Sequence, residues 1–159
     1  MDKRWIYIII IFIIGVTSAY LIIESSESVG SANINVGTFT VTLPSEFNIE
    51  TKSDDSLLLV DRNTQEKIKI KDLGKGNSLD SNISAEIDEL QNNTNVTLIN
   101  VTKLKIDNET YPCVYYEKIP DYVNRATFVS KYNHLFLIDC RNFHDDQAVI
   151  NNTQKIINS

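Results

Sequence analysis

The sequence predicts an α+β domain in which helices pack on an antiparallel sheet, preceded by one membrane-spanning helix. Three observations support this fold class. A long uncharged run lies near the start of the chain, at residues 5–23. Short segments that alternate apolar and polar residues follow it, as expected of strands with one buried face. Two other segments, near residues 79–90 and 145–158, repeat their apolar residues every three or four positions, as amphipathic helices do.

The uncharged run WIYIIIIFIIGVTSAYLII is the strongest single feature of the sequence. Its 19 residues, at about 1.5 Å each in a helix, match the roughly 30 Å hydrocarbon core of a bilayer. Lys3 and Arg4 precede it, and basic flanking residues stay on the cytoplasmic side. We therefore expect a single-pass protein of the cell membrane, with the lipid bilayer as a partner of the anchor. Its parts are a cytoplasmic stub at 1–4, a signal anchor at 5–23, a flexible linker at 24–36 and an exported domain at 37–159.

A cleaved signal peptide is the alternative to an anchor. Such peptides have an apolar core of about 7–15 residues that ends in small residues at the cleavage site. Residues 17–19, Thr-Ser-Ala, have that character. The apolar run nevertheless continues through Ile23, which favours the uncleaved anchor. Both alternatives export the domain.

The exported domain begins with segments of strand character. Residues 38–43 place Phe39, Val41 and Leu43 on one face and three threonines on the other. Pro44 ends this strand because proline cannot donate to a sheet ladder. Further strands are predicted at 47–52, 56–60 and 67–71, the last with its lysines facing outward.

The first helix is predicted at residues 79–90, after a glycine-containing break. Its apolar stripe consists of Leu79, Ile83, Ile87 and Leu90. Glu86 lies off this stripe, so we expect it on the solvent side. The N-cap is predicted to be Ser78, Asp80 or Ser81.

The second half of the domain is rich in strands. In a predicted strand at 96–107, the apolar residues alternate with polar ones, but the alternation shifts by one residue near Asn100. Such a shift predicts a β-bulge or a break. Three strands at 111–118, 125–131 and 135–141 form an antiparallel meander. A second helix, from about 145 to 158, closes the domain. Its buried stripe consists of Val149, Ile150, Thr153, Ile156 and Ile157.

The two cysteines, Cys113 and Cys140, could form a disulfide in an exported domain. Pairing 118 with 125 and 130 with 135 in the meander places them at opposite ends of strands that are not neighbours. Bridged Cα atoms must lie within about 7 Å of each other. We therefore expect two free thiols that behave as small buried apolar groups.

The order of elements resembles the PsbP-like family of α/β/α sandwiches over about residues 37–159. The resemblance rests on the opening FTVTLPSEFNIE, the alternating EKIKIKD and the single helix before VTKLKIDNETYPCVYYE, and it continues through ATFVSKYNHLFLIDC to the terminal KIINS. The family includes photosystem II extrinsic subunits, a nuclear Ran-binding import factor and many exported microbial proteins. The resemblance implies binding or scaffolding more often than catalysis, and it carries no functional residue over to this chain.

The exported part of the chain is acidic. Leaving out residues 1–4, which contain Asp2, Lys3 and Arg4, gives 13 basic and 20 acidic residues and a net charge of −7. Nucleic-acid binding needs clustered Lys and Arg to displace counterions, so this composition argues against a nucleic-acid partner.

The run His144-Asp145-Asp146 is the strongest candidate in the sequence for a catalytic or metal-binding site. A histidine beside carboxylates could bind a metal or act as a base. A zinc site needs about four converging ligands, and the other histidine, His134, is predicted in a turn at the far end of the preceding strand. We favour helix capping for this run, and we expect neither a metal nor a cofactor.

Six Asn-x-Ser/Thr acceptor sites are candidates for N-glycosylation on an exported domain. They are Asn82, Asn92, Asn95, Asn100, Asn108 and Asn151. Chance predicts roughly three such sites in a chain this rich in Asn, so an Asn-rich chain without glycans is the alternative.

Five tyrosines cluster in the meander, where they either pack the sheet or line a groove for a ligand. They are Tyr111, Tyr115, Tyr116, Tyr122 and Tyr132.

The function that the sequence favours is a membrane-anchored extracytoplasmic binding or accessory module, non-enzymatic, with an envelope protein or glycan as its partner. The alternative is an exported hydrolase or metal-dependent enzyme that uses His144, Asp145 and Asp146.

Overall fold

Residues 33–36, 39–131 and 133–158 are described by a computed structural model of the chain. Over these residues the chain forms nine strands and two helices. The strands are β1 (Asn33–Val36), β2 (Phe39–Thr42), β3 (Asn48–Lys52), β4 (Ser56–Val60), β5 (Lys67–Lys75), β6 (Leu98–Ile106), β7 (Glu109–Glu117), β8 (Val123–Lys131) and β9 (His134–Phe143). The helices are α1 (Leu79–Gln91) and α2 (Asp146–Ile157).

The strands form a large antiparallel sheet and a small one. The seven strands of the large sheet lie in the order β3-β4-β5-β9-β8-β7-β6, and β1 pairs with β2 separately. β3 and β6 are therefore the two edges of the large sheet. Strand β1 occupies the end of the predicted linker, and its sequence Asn-Ile-Asn-Val alternates as a strand should.

The predicted membrane anchor at 5–23 lies outside the described residues, as do the stub at 1–4 and the linker as far as residue 32. Neither α1 nor α2 is long and apolar enough to cross a membrane.

Helices cover both faces of the large sheet. On one face, which we call the α1 face, Leu90 packs against strand residues such as Val114, Phe128 and Leu137. On the other, the α2 face, Val149 of α2 lies in a second core that the β1–β2 hairpin also joins. This arrangement confirms the predicted antiparallel sheet with helices packed on it.

Helix α1 begins at Leu79, directly after Ser78, one of the predicted N-cap residues. The Ser78 side chain accepts a hydrogen bond from the backbone N–H of Ser81 at 3.5 Å. Three residues of the predicted stripe, Ile83, Ile87 and Leu90, face the sheet. The fourth differs, because Leu79 is 36% exposed while Glu86 is only 9% exposed. The expectation that Glu86 faces solvent was wrong. Residues 83, 86, 87 and 90 have the i, i+3, i+4, i+7 spacing of one helix face, and that face lies on the sheet.

Strand β6 pairs with β7 in one unbroken register from Leu98 to Ile106. The predicted bulge near Asn100 was therefore wrong. Ile99 packs on the α1 face, whereas Leu104 and Ile106 are buried on the α2 face. Because both faces of the sheet are covered, apolar residues can change face along the strand without a break in the backbone.

The meander is confirmed, but one of its two predicted registers was wrong. Ser130 pairs with Leu135 as expected, whereas Arg125 pairs with Tyr115 and not with residue 118. The paired part of β7 and β8 ends at Tyr116 and Asn124, so pairing stops earlier in β7 than predicted. The connection between the two strands is stabilised by the buried amide of Asn124, whose Nδ2 donates to the carbonyl oxygen of Tyr116 at 3.1 Å.

The observed register places the two cysteines differently from the prediction. Cys113 pairs across from Thr127 of β8, and Cys140 pairs across from Arg125 of the same strand. The thiols therefore lie at a similar level, on strands separated by β8, and not at opposite ends. Both are free and fully buried, as expected.

Candidate functional site

The run His144-Asp145-Asp146 does not converge on a common point. Asp145 is the N-cap of α2, and its Oδ1 accepts the backbone N–H of Ala148 at 2.7 Å. The exposed imidazole of His144 instead lies 5.2 Å from the ring of Tyr122. Each side chain of the run thus has a different neighbour. Among the residues that the structure describes, no three His, Cys, Asp or Glu side chains are grouped to hold a metal ion.

Asp146 belongs to a polar cleft on the α2 face. Its carboxylate accepts two hydrogen bonds from Arg125, from Nε and from Nη2, each at 2.9 Å. The guanidinium carbon lies 5.2 Å from the centroid of the Tyr115 ring. Burial alone would lower the pKa of Arg125, but the hydrogen bonds and charge of Asp146 raise it above the usual value. A cleft of about 270 Å³ opens beside this pair and is also lined by Asn100 and Thr102 of β6.

A cavity of about 600 Å³ lies where the β6–β7 turn meets the end of α2. Its polar groups bind each other. The side chain of Gln154 donates to Asp107 at 2.8 Å, Lys131 Nζ donates to the Ile157 carbonyl oxygen at 2.6 Å, and the Tyr111 hydroxyl donates to Glu109. Partial burial and the neighbouring Glu109 raise the pKa of Tyr111 to about 12. This concavity therefore offers few free polar groups to a ligand.

A groove of about 420 Å³ opens at the same end of the sheet on the α1 face. We call it the end groove. It lies between the start of α1 and strands β7, β8 and β9. Its apolar walls are Leu79, Pro112, Phe128 and Leu135, and its polar groups include Asn77 and Ser130. A mostly apolar concavity with a few polar groups is the usual form of a binding site.

The predicted tyrosine cluster divides between different surroundings. Tyr111 lines the end groove and Tyr115 lines the Arg125 cleft, and a ligand at either place stays a prediction. Tyr122 contacts His144, and Tyr116 is 1% exposed within the core. Tyr132 lies outside the described residues.

His134 also borders the end groove, and it does not lie in a turn as expected. It is the first residue of β9, is 9% exposed and stacks on Phe136 with 5.9 Å between ring centroids. Its Nδ1 lies 3.2 Å from Oδ1 of Asp72, a residue of β5. Sequence reasoning missed this pair because only the β5–β9 register brings together two residues that are 62 positions apart.

A charged network lies beneath α1. Asp139 is fully buried in β9, where Oδ1 accepts the Tyr116 hydroxyl at 2.8 Å and Oδ2 accepts Arg141 Nε at 2.6 Å. Burial, together with the Asp139 charge, raises the pKa of Tyr116 well above its usual value. Burial would lower the pKa of Arg141, but Asp139 raises it further than burial lowers it. A charged residue inside the apolar run LFLIDC was the sequence signal for such a buried partner.

Glu86 of α1 lies close to this network. Burial raises the pKa of Glu86 to about 7, and the nearby carboxylates of Asp139 and Glu89 add to the shift, while Arg141 and Lys69 oppose it. Glu86 and Lys69 also line a small cavity of about 150 Å³ between α1 and the sheet.

The two thiols do not form a nucleophilic site. Burial raises the pKa of Cys140 to about 12, and burial also raises the pKa of Cys113. Reactive cysteines need a lowered pKa and access to solvent. Neither thiol has these properties.

The six acceptor asparagines differ in how their side chains are held. Nδ2 of Asn82 donates to the Ser78 carbonyl oxygen at 2.8 Å, and Nδ2 of Asn92 donates to the Asp88 carbonyl oxygen at 2.8 Å. The other four are exposed, and their Nδ2 atoms make no hydrogen bond with a described residue. They are Asn95, Asn100, Asn108 and Asn151.

The fold is an α/β/α sandwich, with a helix on each face of the large sheet. The chain is similar to the solution structure of cyanobacterial PsbP (CyanoP) from Synechocystis sp. PCC 6803, with 12% sequence identity and a TM-score of 0.48. The match covers 76% of this chain and 84% of that chain. No protein-family model and no curated protein matches the sequence. Membership of the PsbP-like family stays a prediction.

Proposed function

We propose that the chain is a membrane-anchored extracytoplasmic binding module, and that its end groove receives a partner in the cell envelope, either another envelope protein or a glycan. The observation that carries the proposal is the divergence of His144, Asp145 and Asp146. Catalysis or metal binding would need these side chains to converge in a concave site. Here one of them caps a helix, one forms an ion pair and one lies on a tyrosine ring.

The end groove supports a binding role. Its apolar walls can remove a partner's side chains from water, while Asn77 and Ser130 can fix orientation through hydrogen bonds. The predicted anchor at 5–23 would hold the groove near the membrane and so raise its effective concentration toward other membrane proteins.

Site-specific photo-crosslinking of the full-length chain in its native membrane tests this role. A photoreactive residue at Leu79, in the wall of the end groove, should form adducts with one envelope component, identified by mass spectrometry after detergent extraction. The matched control is Ile49 on edge strand β3, which is 39% exposed, against 36% for Leu79.

A third variant tests whether binding in the end groove depends on His144, the histidine of the alternative enzymatic site. The variant His144→Ala should leave the Leu79 adducts unchanged because His144 lies outside the groove. Equal labelling from positions 79 and 49, or no adduct from either, would refute the groove as a binding site.

A further inference from the structure

The two edges of the large sheet differ in how they discourage other strands from pairing. Exposed edges usually carry charges or bulges that prevent unwanted strand addition. Strand β3 has both, because its register shifts between Ile49 and Thr51 and it carries Glu50 and Lys52. Strand β6 is regular over nine residues, and its first half, Leu-Ile-Asn-Val-Thr, is uncharged.

Among the described residues, no strand pairs with the outer side of β6. In an antiparallel edge strand, alternate residues direct their N–H and C=O groups away from the sheet. No residue of β6 has a hydrogen bond to any described residue other than its pairing with β7. Val101, near the middle of the strand, is 52% exposed and is the most exposed large apolar side chain among the described residues.

The second half of β6 carries two lysines on the α1 face. Lys103 and Lys105 form no ion pair with any described residue, although the exported chain is strongly acidic. Their cross-strand neighbours on β7 are Pro112 and Thr110, which are uncharged and line the end groove. Val101 shares this face, so the apolar and the basic positions of the edge lie in one row beside the groove.

The α2 face of the same edge is polar. Asn100 and Thr102 of β6 line the cleft beside Tyr115 and Arg125. An added strand would therefore meet an apolar and basic row on one face and hydrogen-bonding groups on the other. Alternate side chains of an extended peptide point to opposite faces in the same way.

On the basis of the proposed binding role, we infer that the β6 edge binds an extended acidic segment of a partner protein by antiparallel strand addition. The backbone of that segment pairs with the outer side of β6. Its carboxylates lie opposite Lys103 and Lys105, and its small polar side chains meet Asn100 and Thr102. The groove beside the edge receives the continuation of the segment.

The charge of β6 favours an acidic segment of a partner protein over a second copy of the chain. Pairing of two β6 edges would bring four lysines to one face of the joint sheet, with no carboxylate among the β6 residues to oppose them. An acidic segment neutralises the same lysines. The lysines thus disfavour one partner and favour the other.

The test uses the full-length chain in detergent micelles and two fluorescent nine-residue peptides. One peptide alternates Thr with Glu, and the other has Lys in place of each Glu. We expect the Glu peptide to bind more tightly than the Lys peptide and to slow amide hydrogen exchange at 98–106 but not at 48–52. The double variant Lys103→Glu/Lys105→Glu should weaken binding about tenfold, since two exposed ion pairs become two repulsions.

The matched control is the double variant Lys52→Glu/Arg62→Glu, which changes the net charge equally at two exposed positions away from β6. It should bind the Glu peptide as the unmodified chain does. Equal affinity for both peptides, equal losses in both double variants, or no added protection at 98–106 would overturn the inference. So would full glycosylation of Asn100 in native material, because the glycan would lie beside the path of the added strand.

The two proposals can fail separately. If crosslinks from Leu79 persist in the Lys103→Glu/Lys105→Glu variant and this variant still binds the Glu peptide, the binding role stands and the acidic strand is wrong. If Leu79 forms no specific crosslink while the peptide binds the β6 edge, the groove role fails and the edge remains a binding surface.

Discussion

The residues that set the chemistry of this domain are charged groups inside a core that the sequence presents as apolar. Asp139 is fully buried yet has two partners, the Tyr116 hydroxyl and the Arg141 guanidinium. Removing either partner would leave part of a buried charge without compensation, which is costly. Glu86 differs, since no hydrogen bond to it is found among the described residues and its neighbours include two further carboxylates.

The raised pKa of Glu86 predicts a stability that depends on pH. The pKa is about 7 in the folded chain and 4.5 when unperturbed. Between these values the unfolded chain releases a proton that the folded chain retains, so the free energy of unfolding falls as pH rises through this window. The variant Glu86→Gln lacks this proton release. We expect it to match the unmodified chain near pH 4.5 and to be more stable by about 1–2 kcal/mol at pH 8, after a discount for solvent screening.

Urea unfolding followed by circular dichroism at pH 4.5, 6 and 8 measures this difference. The control is Asp88→Asn, which removes an exposed carboxyl from the same helix. A constant difference between Glu86→Gln and the unmodified chain would show that Glu86 is already ionised at pH 6.

At the scale of elements, the periodicity of the sequence predicted most of the fold. Both helices and the strands of the meander were predicted within a few residues of their observed bounds. The errors at Glu86, at the predicted bulge and at the β5 lysines share one cause, which is that the sheet is buried on both faces. The lysines of β5 were expected in solvent, yet Lys69 and Lys71 line the cavity under α1. A pattern of alternation shows which residues share a face, but not whether the opposite face is also covered.

Strand β6 gives a direct test of this two-faced burial. Leu104 is 4% exposed and Val101 is 52% exposed in the same unbroken strand. We expect Leu104→Ala to lower the free energy of unfolding by about 2–4 kcal/mol, because it leaves a cavity against α2. Val101→Ala should change it by less than about 0.5 kcal/mol.

Chemical denaturation of the two variants, side by side, measures both values. Similar losses of unfolding free energy in Leu104→Ala and Val101→Ala would mean that β6 does not have the register observed in the structure. The same comparison bears on the edge surface, because Val101 must be dispensable for folding if it is free to meet a partner.

At the scale of the whole molecule, the candidate site could be predicted only in part. The sequence left open whether the tyrosines of the meander pack the sheet or line a groove, and the structure places Tyr111 in the wall of the end groove. The sequence could not indicate the pair of His134 and Asp72, because their contact depends on the register between β5 and β9. The open edge was equally hidden, since strand order alone places β6 at the border of the sheet.

The acceptor asparagines link the fold to the predicted export of the domain. If the domain crosses the membrane and meets a glycosylation system, exposed asparagines with free side-chain nitrogens should accept glycans most readily. We therefore expect modification at Asn95, Asn108 and Asn151. Asn100 meets the same criterion but lines the Arg125 cleft, so we expect it to stay unmodified. Asn82 and Asn92 should stay unmodified, because each Nδ2 already binds a helix carbonyl oxygen. Mass spectrometry of peptides from native membranes, with and without enzymatic removal of glycans, measures the occupancy of each site. Glycans at positions 82 and 92 with bare asparagines at 95, 108 and 151 would contradict this fold-based order, and a complete absence of glycans would leave the asparagines as a feature of composition alone.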